Sequence, residues 1–289
     1  ELDIFPYGSL GTSSQLTELV RNGSVDLAFA SPGHLADLIP ETGIFTLHYV
    51  LPDDEAVTRA LFAGNELTQL FSAAYNEKYL TLLGFVPEGW MAWTANKPLR
   101  TPADFEGLRI RTMTSEMSAE AFRSYGADPR QTPYSQVYSD LQLKQIDGQT
   151  NPIFAIEEMG FYEVQDTLTM ARATHFVSSV VANPEWYAQL SEQQQDWLAT
   201  ALIEVGREAW EIQAELNQTR LESMLEEGQL AVARLTEQER DAFREASRSA
   251  REHYISQTGE RGQQILESLQ NLIADLESEQ ASGTGGDGN

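Results

Sequence analysis

Hydrophobic and polar positions follow two different periods along the chain, and the changes of period mark its elements. Short apolar or alternating runs predict strands, which lie at 1–7, 25–30, 44–51, 80–86, 90–96, 107–112, 176–181 and 230–235. Apolar residues at helical spacing predict helices between the strands, including a long one from Ser191 to Gly228 without proline. Because strands and helices alternate, we expect an α/β fold with a mostly parallel sheet.

The candidate binding region lies near the middle of the chain. In the string GLRIRT, leucine and isoleucine alternate with Arg109 and Arg111, so the two guanidinium groups share the other face of a strand. Further on, the proline after Asn151 pushes that residue into extended backbone. Three loop ends of an α/β unit are therefore expected to present Arg111, Tyr134 and Asn151.

Composition narrows the class of protein. The chain has 289 residues, enough for one or two domains, and no apolar run reaches the roughly 20 residues that cross a bilayer. The absence of Cys excludes disulfides and thiolate chemistry. A net charge of −25 argues against nucleic acid as a partner, because phosphates would be repelled. Since no leader is evident at Glu1, we expect either a cytosolic chain or a mature one whose signal peptide has been removed.

Candidate catalytic and metal-binding groups are weak. The histidines His34, His48, His175 and His253 have no partner at i, i+4 spacing, and neither HExxH nor GxSxG occurs. Adjacent carboxylates along the chain point apart and make poor acid/base pairs. We therefore expect no catalytic set, no metal site and no cofactor.

Several longer strings carry a family resemblance. The strings GLRIRT, YSQVYSDLQLKQIDGQTNPIFAIEEMGFYEV and HFVSSVVAN, together with VRNGSVDLAFASPGHLADLIPETGIF and the long helix, cover nearly the whole chain. Together they resemble the solute-binding subunit of tripartite ATP-independent periplasmic (TRAP) transporters, the DctP type. The resemblance implies a two-domain periplasmic-binding-protein fold, a long helix bridging both domains, a periplasmic location and small and large membrane subunits as partners.

The resemblance also implies a domain division. We expect domain I at 1–88 plus 177–214, domain II at 89–176 plus 215–276, and a disordered tail at 277–289, whose end is rich in Gly and Ser. Proteins of the family carry a further strand and helix ahead of the point that matches Glu1, so domain I is expected to lack that segment here. A monomer is expected.

The family pattern assigns roles to several residues of the candidate region. Its carboxylate-binding arginine matches Arg111, and its Gln-Glu-Asn-Pro string matches Gln149 to Asn151 with Thr150 in the middle. Tyr134 and Phe176 match aromatic positions of the cleft. By pattern alone, an arginine in a strand more often pairs with a structural acid, and each aromatic residue is equally suited to the core. The resemblance favours ligand binding at Arg111.

Further candidates belong to the opposite wall of the cleft. Ser31 follows a strand end, where ligands gather in open α/β sheets, and Phe45 suits either a pocket or the core. Many relatives carry a second arginine where this chain has Met91, next to Trp90. A solute with one carboxylate and an apolar or cationic body is therefore expected. This combination of residues is similar to that of the ectoine-binding branch of the family, but Ala155 is at a position where that branch has an aromatic residue.

Two other classes of function stay open. One is a ligand-sensing binding protein that serves a signalling partner, and the other is an enzyme on the same architecture, since a fold does not determine a function. Neighbouring genes distinguish the first from transport, because membrane subunits favour transport and a histidine kinase favours sensing.

The distribution of charge predicts adaptation to salt. The chain has 44 acidic and 19 basic residues, and its acids are spread along the whole sequence. Repulsion between such acidic groups keeps the protein in solution but destabilises its folded state, and salt screens this repulsion. We expect the unfolding midpoint to rise steeply between low and molar NaCl in thermal denaturation. A midpoint that does not change with NaCl would mean that the chain is acidic without being adapted to salt.

Overall fold

A computed structural model describes residues 2–6, 8–227 and 230–283 of the chain. Its strands form one connected sheet and are β1 (Leu27–Ala30), β2 (Thr81–Ala95), β3 (Arg109–Thr112), β4 (Asp128–Gln131), β5 (Gly148–Pro152), β6 (Thr167–Met170), β7 (His175–Ala182) and β8 (Ala231–Arg234). The α-helices are α1 (Ser13–Arg21), α2 (Pro32–Leu35), α3 (Glu55–Ala63), α4 (Asn65–Asn76), α5 (Glu116–Arg123), α6 (Val137–Gln142), α7 (Ile153–Glu158), α8 (Pro184–Gln189), α9 (Glu192–Glu226), α10 (Glu237–Ala246) and α11 (Arg248–Gly283). Short 3-10 helices lie at Pro40–Thr46, Pro102–Phe105, Tyr134–Gln136 and Phe161–Val164.

The sheet is mixed. Its strand order is β1-β7-β2-β5-β3-β4, with β6 also paired to β2 and β8 paired to β6. Strand β7 is antiparallel to β1 and β2, and β2 is antiparallel to β5 and β6. Only the pairs of β3 with β4, β3 with β5, and β6 with β8 are parallel within the described residues. The prediction of a mostly parallel sheet is therefore wrong for this part of the chain, because β2 and β7 run against their neighbours.

Strand β2 passes through both halves of the molecule. Residues 81–90 pair with β7, whereas residues 91–95 pair with β5 and residues 93–95 also pair with β6. The sequence predicted two strands separated at Glu88 and Gly89, but the structure has one strand with an irregular register there. Gly89 adopts φ 120°, a backbone conformation that residues other than glycine rarely adopt.

One side chain of α9 holds this crossing point in place. The Nδ2 of Asn217 donates to the Glu88 carbonyl at 3.0 Å, and its Oδ1 accepts from the Phe154 amide at 3.0 Å. Gly89 lies so close that a Cβ there would be 2.5 Å from Asn217 Nδ2. Asn217 thus connects the strand crossing to the start of α7, which directly follows β5.

Helix α9 is the predicted long helix and has 35 residues. It begins at a capping box in which the Ser191 hydroxyl accepts from the Gln194 amide and the Gln194 side chain accepts from the Ser191 amide. It lies against β2, α7 and α3, so it runs along both halves of the molecule. Among the helices described here, none combines the length and the apolar character that crossing a bilayer requires.

Across the described ranges the hydrophobic core has three parts, and α11 belongs to the first of them. Tyr254 and Leu269 of α11 pack with residues of α3, α4 and β2, such as Phe71. The predicted domain II contained all of 215–276, but this packing places α11 with the first part of the chain. Gly259, at φ 63° and ψ −149°, breaks α11 into two helices, and residues of both pack in this core.

Other predictions of local structure also differ from the structure. Residues 2–6 form no strand and expose Leu2 and Ile4, while Glu1 and Tyr7 lie outside the described residues. The run at 44–51 forms no strand, because its first three residues complete the 3-10 helix Pro40–Thr46. Residues 277–283, predicted as disordered, continue α11, since Glu, Gln and Ala are strong helix formers. Residues 284–289 lie outside the described part of the chain.

We expect Gly89→Ala to lower the free energy of unfolding by about 1–3 kcal/mol, because a methyl group meets Asn217 and the backbone conformation becomes strained. Gly84→Ala, in the same strand, is the matched control, since no atom lies within 4 Å of a Cβ there. Urea unfolding of both variants measures the difference. Equal losses in the two variants would contradict the role assigned to Gly89.

Candidate functional site

A cleft lies between the two halves of the molecule and contains about 430 Å³, including space open to solvent. Four of the predicted site residues line it, namely Ser31, Phe45, Met91 and Phe176. They come from the turn after β1, the 3-10 helix that follows, β2 and β7. The topology therefore brings together residues that are up to 145 positions apart in sequence.

Arg111 is not among the residues that line the cleft. It is on β3, its side chain is 1% exposed, and its Nε donates to the Thr132 carbonyl at 3.0 Å. In the parallel pair of β3 and β5, Arg111 is beside Gln149. The adjacent Arg109 instead faces solvent and binds Asp147 through two hydrogen bonds of 2.9 and 2.6 Å. Of the two arginines in the predicted strand, only Arg111 is directed into the protein.

Gln149 and Asn151 share one face of β5, two residues apart. Both are buried, and Asn151 Nδ2 donates to Gln149 Oε1 at 2.5 Å. Gln149 Nε2 donates in turn to the Thr94 hydroxyl at 3.0 Å. Neither amide is among the residues that line the cleft, but Thr150 between them is. Because successive side chains of a strand point to opposite faces, the two amides lie on the other face of β5 from the Thr150 side chain.

The remaining two predicted residues are also outside the lining. Tyr134 packs edge-on against Phe161 with ring centroids 5.9 Å apart, and its hydroxyl donates to the Ala155 carbonyl at 3.2 Å. Ala155 is the position where an aromatic residue was expected for the ectoine-binding branch, so Tyr134 contacts that point of the chain. Trp90 lies against His175 with ring centroids 3.8 Å apart.

His175 also lines the cleft, although no sequence pattern predicted it as a site residue. Its ring contacts the rings of Trp90 and Trp210, and neither ring nitrogen has a hydrogen-bond partner among the described residues. Burial, together with the nearby Arg172 guanidinium, lowers the pKa of His175 to about 3. The imidazole is therefore neutral at physiological pH. In the sequence, only its position directly before the predicted site residue Phe176 pointed to His175.

Two further histidines connect the walls of the cleft. His48 Nδ1 lies 2.8 Å from the Tyr125 hydroxyl, and His34 Nδ1 lies 3.2 Å from the Thr114 hydroxyl. Burial lowers the pKa of His48 to about 3, and burial followed by Arg111 lowers the pKa of His34 to about 4. Both rings are thus uncharged at neutral pH. Their contacts join residues that precede β2 to residues that follow β3.

The wall on the side of β3 also reaches the turn after β1. Met113 follows β3, and its Sδ lies 3.9 Å from the Ser31 hydroxyl. A Cβ on Gly33 would be 2.4 Å from the terminal methyl group of Met113. Met113 therefore brings the wall that follows β3 into direct contact with the turn after β1. Within the described residues, no group of three or more His, Asp or Glu side chains is arranged to hold a metal ion.

Comparison with known proteins identifies the family. The family described as "Bacterial extracellular solute-binding protein, family 7", or DctP, matches residues 1–257. The chain belongs to this family. The ectoine-binding periplasmic protein TeaA of Halomonas elongata is 34% identical over 98% of this chain and 83% of its own length. The ectoine/5-hydroxyectoine-binding periplasmic protein UehA of Ruegeria pomeroyi is 32% identical over 95% of this chain and 81% of its own.

Solved structures of family members have the same fold. A TRAP periplasmic solute-binding protein of Marinobacter aquaeolei, in an apo open state, is 60% identical with a TM-score of 0.90, covering 93% of this chain and 88% of that one. The H. elongata ectoine-binding protein superposes with a TM-score of 0.91 at 34% identity, covering 94% and 89%. The predicted two-domain fold, the periplasmic location and the function as a solute-binding protein of a TRAP transporter are thereby confirmed.

The buried histidines predict a loss of stability in acid. An unfolded histidine binds a proton near pH 6.5, whereas His48 does so only near pH 3, so its contribution is complete above pH 6.5 and falls as the pH drops toward 3. Between pH 7 and pH 5 the loss is about 2 kcal/mol for one such histidine.

We expect His48→Gln to show a smaller loss than the wild type by about that amount in urea unfolding at the two pH values. The measurement at pH 7 serves as each protein's own reference, so unrelated carboxylates cancel in the difference. If the free energy of unfolding fell equally in the two proteins between pH 7 and pH 5, the lowered pKa of His48 would be contradicted.

Proposed function

We propose that this family member captures a small organic solute with one carboxylate in the cleft and that Arg111 anchors the carboxylate. The observation that supports this most strongly is the nearly complete burial of Arg111 on β3, beside Gln149 of β5. Away from water, a guanidinium binds a carboxylate through strong, charge-assisted hydrogen bonds.

The geometry of Arg111 suits this role. The Thr132 carbonyl accepts from Nε and restricts rotation of the guanidinium, and a planar guanidinium recognises a carboxylate through two parallel hydrogen bonds. The surrounding wall excludes water, which strengthens the interaction. The neighbouring amides of Gln149 and Asn151 add polar groups at the same end of β5.

The lining of the cleft favours a solute without a second anionic group. Among the described residues, the lining contains no Lys or Arg, and its histidines His48 and His175 are held neutral. Phe45 and Phe176 instead offer aromatic faces, which pack against an apolar body or a delocalised cation. We therefore propose a compact monocarboxylate or zwitterion. Two relatives are named for binding ectoine, a zwitterion of this kind.

The remaining parts of the proposal follow from the family. We propose that the loaded protein acts as a monomer and delivers its solute to the small and large membrane subunits of a TRAP transporter without catalysing a reaction. Support comes from the membership of the chain in a family of solute-binding proteins and from the weak catalytic constellation in its sequence.

We expect Arg111→Ala to weaken carboxylate binding by about 100-fold, since a charge-assisted bidentate pair contributes roughly 3 kcal/mol. Isothermal titration in high salt, with ectoine, monocarboxylates, dicarboxylates, amino acids and sugar acids, measures the effect. Arg109→Ala is the matched control, because that arginine is on the same strand but binds Asp147.

The expected pattern is loss of binding in Arg111→Ala, partial retention in Arg111→Lys and wild-type affinity in Arg109→Ala. Retained affinity in Arg111→Ala would overturn the anchor. Tighter binding of dicarboxylates than of monocarboxylates would overturn the proposed class of solute.

A further inference from the structure

One methionine reaches from the wall on the side of β3 to the opposite wall of the cleft. Met113 directly follows β3, and its Sδ lies 3.9 Å from the Ser31 hydroxyl on the turn after β1. Its terminal methyl group lies 2.4 Å from the point that a Cβ on Gly33 would occupy. All three residues line the cleft. Because the end of the Met113 side chain makes these contacts, the side chain itself spans the space between the two walls.

Gly33 provides the place that the end of Met113 occupies. A Cβ there would also be 2.9 Å from Met113 Sδ, which is closer than packed side chains approach each other. Gly33 is buried in the helical turn α2, and it is not among the glycines with positive φ. Its backbone therefore does not require glycine, and alanine is the better helix former. The contact with Met113 explains why this position has no side chain.

The other neighbour of this contact is held rigidly. The Thr46 side-chain methyl group lies 3.1 Å from the same Cβ position of Gly33. Thr46 is 4% exposed, and its hydroxyl donates to the Gly43 carbonyl at 2.7 Å, which restricts a side chain that is already stiff at χ1. Met113 is unbranched, flexible and only half-buried. A group added at Gly33 would therefore displace Met113, and Met113 would move into the cleft that it lines.

The end of Met113 takes up space that the body of a solute would otherwise use. Its Cγ, Sδ and Cε lie between the two walls, beside a lining that is largely apolar. Each CH₂ group of a solute that is buried in such a lining strengthens binding by about fourfold. This gain ends when the next CH₂ group no longer fits, because packed groups do not yield to overlap. The largest body that binds well therefore depends on Met113.

We propose that Met113, in contact with Gly33, is a specificity-determining residue that sets the largest apolar body the cleft accepts. Compact ring monocarboxylates fit beside Met113, and bulkier ones are excluded. The inference rests on the proposed function, because it requires that the cleft binds the body of a carboxylate. It does not depend on which residue anchors the carboxylate.

The test uses cyclopentane-, cyclohexane-, cycloheptane- and cyclooctanecarboxylate, which differ by one CH₂ group at each step and carry one carboxylate. Titration calorimetry in high salt gives the affinity for each ring. In the wild type we expect the affinity to rise to a best ring size and then to fall. Met113→Ala removes Cγ, Sδ and Cε, so the best ring should become larger by about one or two carbons, and cyclooctanecarboxylate should bind about tenfold more tightly than it binds the wild type.

Gly33→Ala should act in the opposite direction. It displaces the end of Met113 into the cleft, so the best ring should become smaller. The thermal midpoint should change by less than about 3 °C, because alanine suits α2 and the methionine is flexible. In the double variant Gly33→Ala/Met113→Ala the ring preference should equal that of Met113→Ala, since no methionine is left to be displaced. If Met113→Ala does not fold, the shift in Gly33→Ala carries the test.

Two further variants separate the size limit from general destabilisation. Met113→Leu retains most of the volume and should retain the best ring of the wild type. Met117→Ala is the matched control, because Met117 also packs against a glycine but is not among the residues that line the cleft. Its Cγ lies 2.6 Å from the point that a Cβ on Gly43 would occupy, and it is 6% exposed. Met117→Ala should lower the thermal midpoint without changing the best ring.

The proposal is supported if the best ring becomes larger in Met113→Ala, smaller in Gly33→Ala and is unchanged in Met113→Leu and Met117→Ala. It is overturned if Met113→Ala keeps the best ring of the wild type or loses affinity equally for all four rings. A shift in Gly33→Ala that persists in the double variant, or a wild type that binds none of the rings or binds the largest ring best, would also overturn it. The proposed function fails separately, when no carboxylate of any class binds the wild type or when Arg111→Ala binds as well as the wild type.

Discussion

The fold depends on the hydrogen-bonding capacity of one strand, β2, whose backbone groups complete the sheet in both halves of the molecule. Buried N–H and C=O groups must be paired, so neither half forms its sheet without its own end of this strand. The crossing at Gly89 is held by Asn217, which also binds the first turn of α7. The Asn217 side chain therefore joins the strand crossing at Gly89 to α7, the helix that follows the predicted ligand residues of β5.

Electrostatics inside and outside the cleft have opposite characters. The chain has a net charge of −25, whereas the described lining of the cleft holds no Lys, Arg, Asp or Glu, and Arg111 is buried. An anionic solute is repelled at long range, and salt screens that repulsion over about 10 Å at 0.1 M. In the proposed binding mode, the low polarisability inside the cleft strengthens the attraction of the carboxylate to Arg111. The neutral histidines of the lining do not compete with Arg111 for that carboxylate in the same proposal.

A line of side-chain hydrogen bonds runs from Asn151 through Gln149, Thr94 and Gln165 to Asn96, so the direction of the Asn151 amide depends on a distant part of the fold. An isolated asparagine has no preferred direction for its amide, since the nitrogen and the oxygen exchange by rotation. Here Val164 and Asp166 supply backbone groups whose roles cannot be exchanged, and Thr94 carries that constraint across the sheet. Because these groups are on strands or directly beside them, the orientation does not depend on mobile loops.

The sequence alone determined the order of most strands and helices, the long helix from its capping box and spacing, and the family from its strings around Arg111. Local patterns suffice for these features because they arise within a few residues. The antiparallel pairing of β2 and β7, the continuity of β2, and the position of α11 were decided by tertiary packing, since partners from distant segments compete for the same backbone groups. The neighbours of His175 and the hydrogen bonds of Thr94 to Gln149 and Gln165 also required the tertiary structure, because strand register sets them and no local pattern records it.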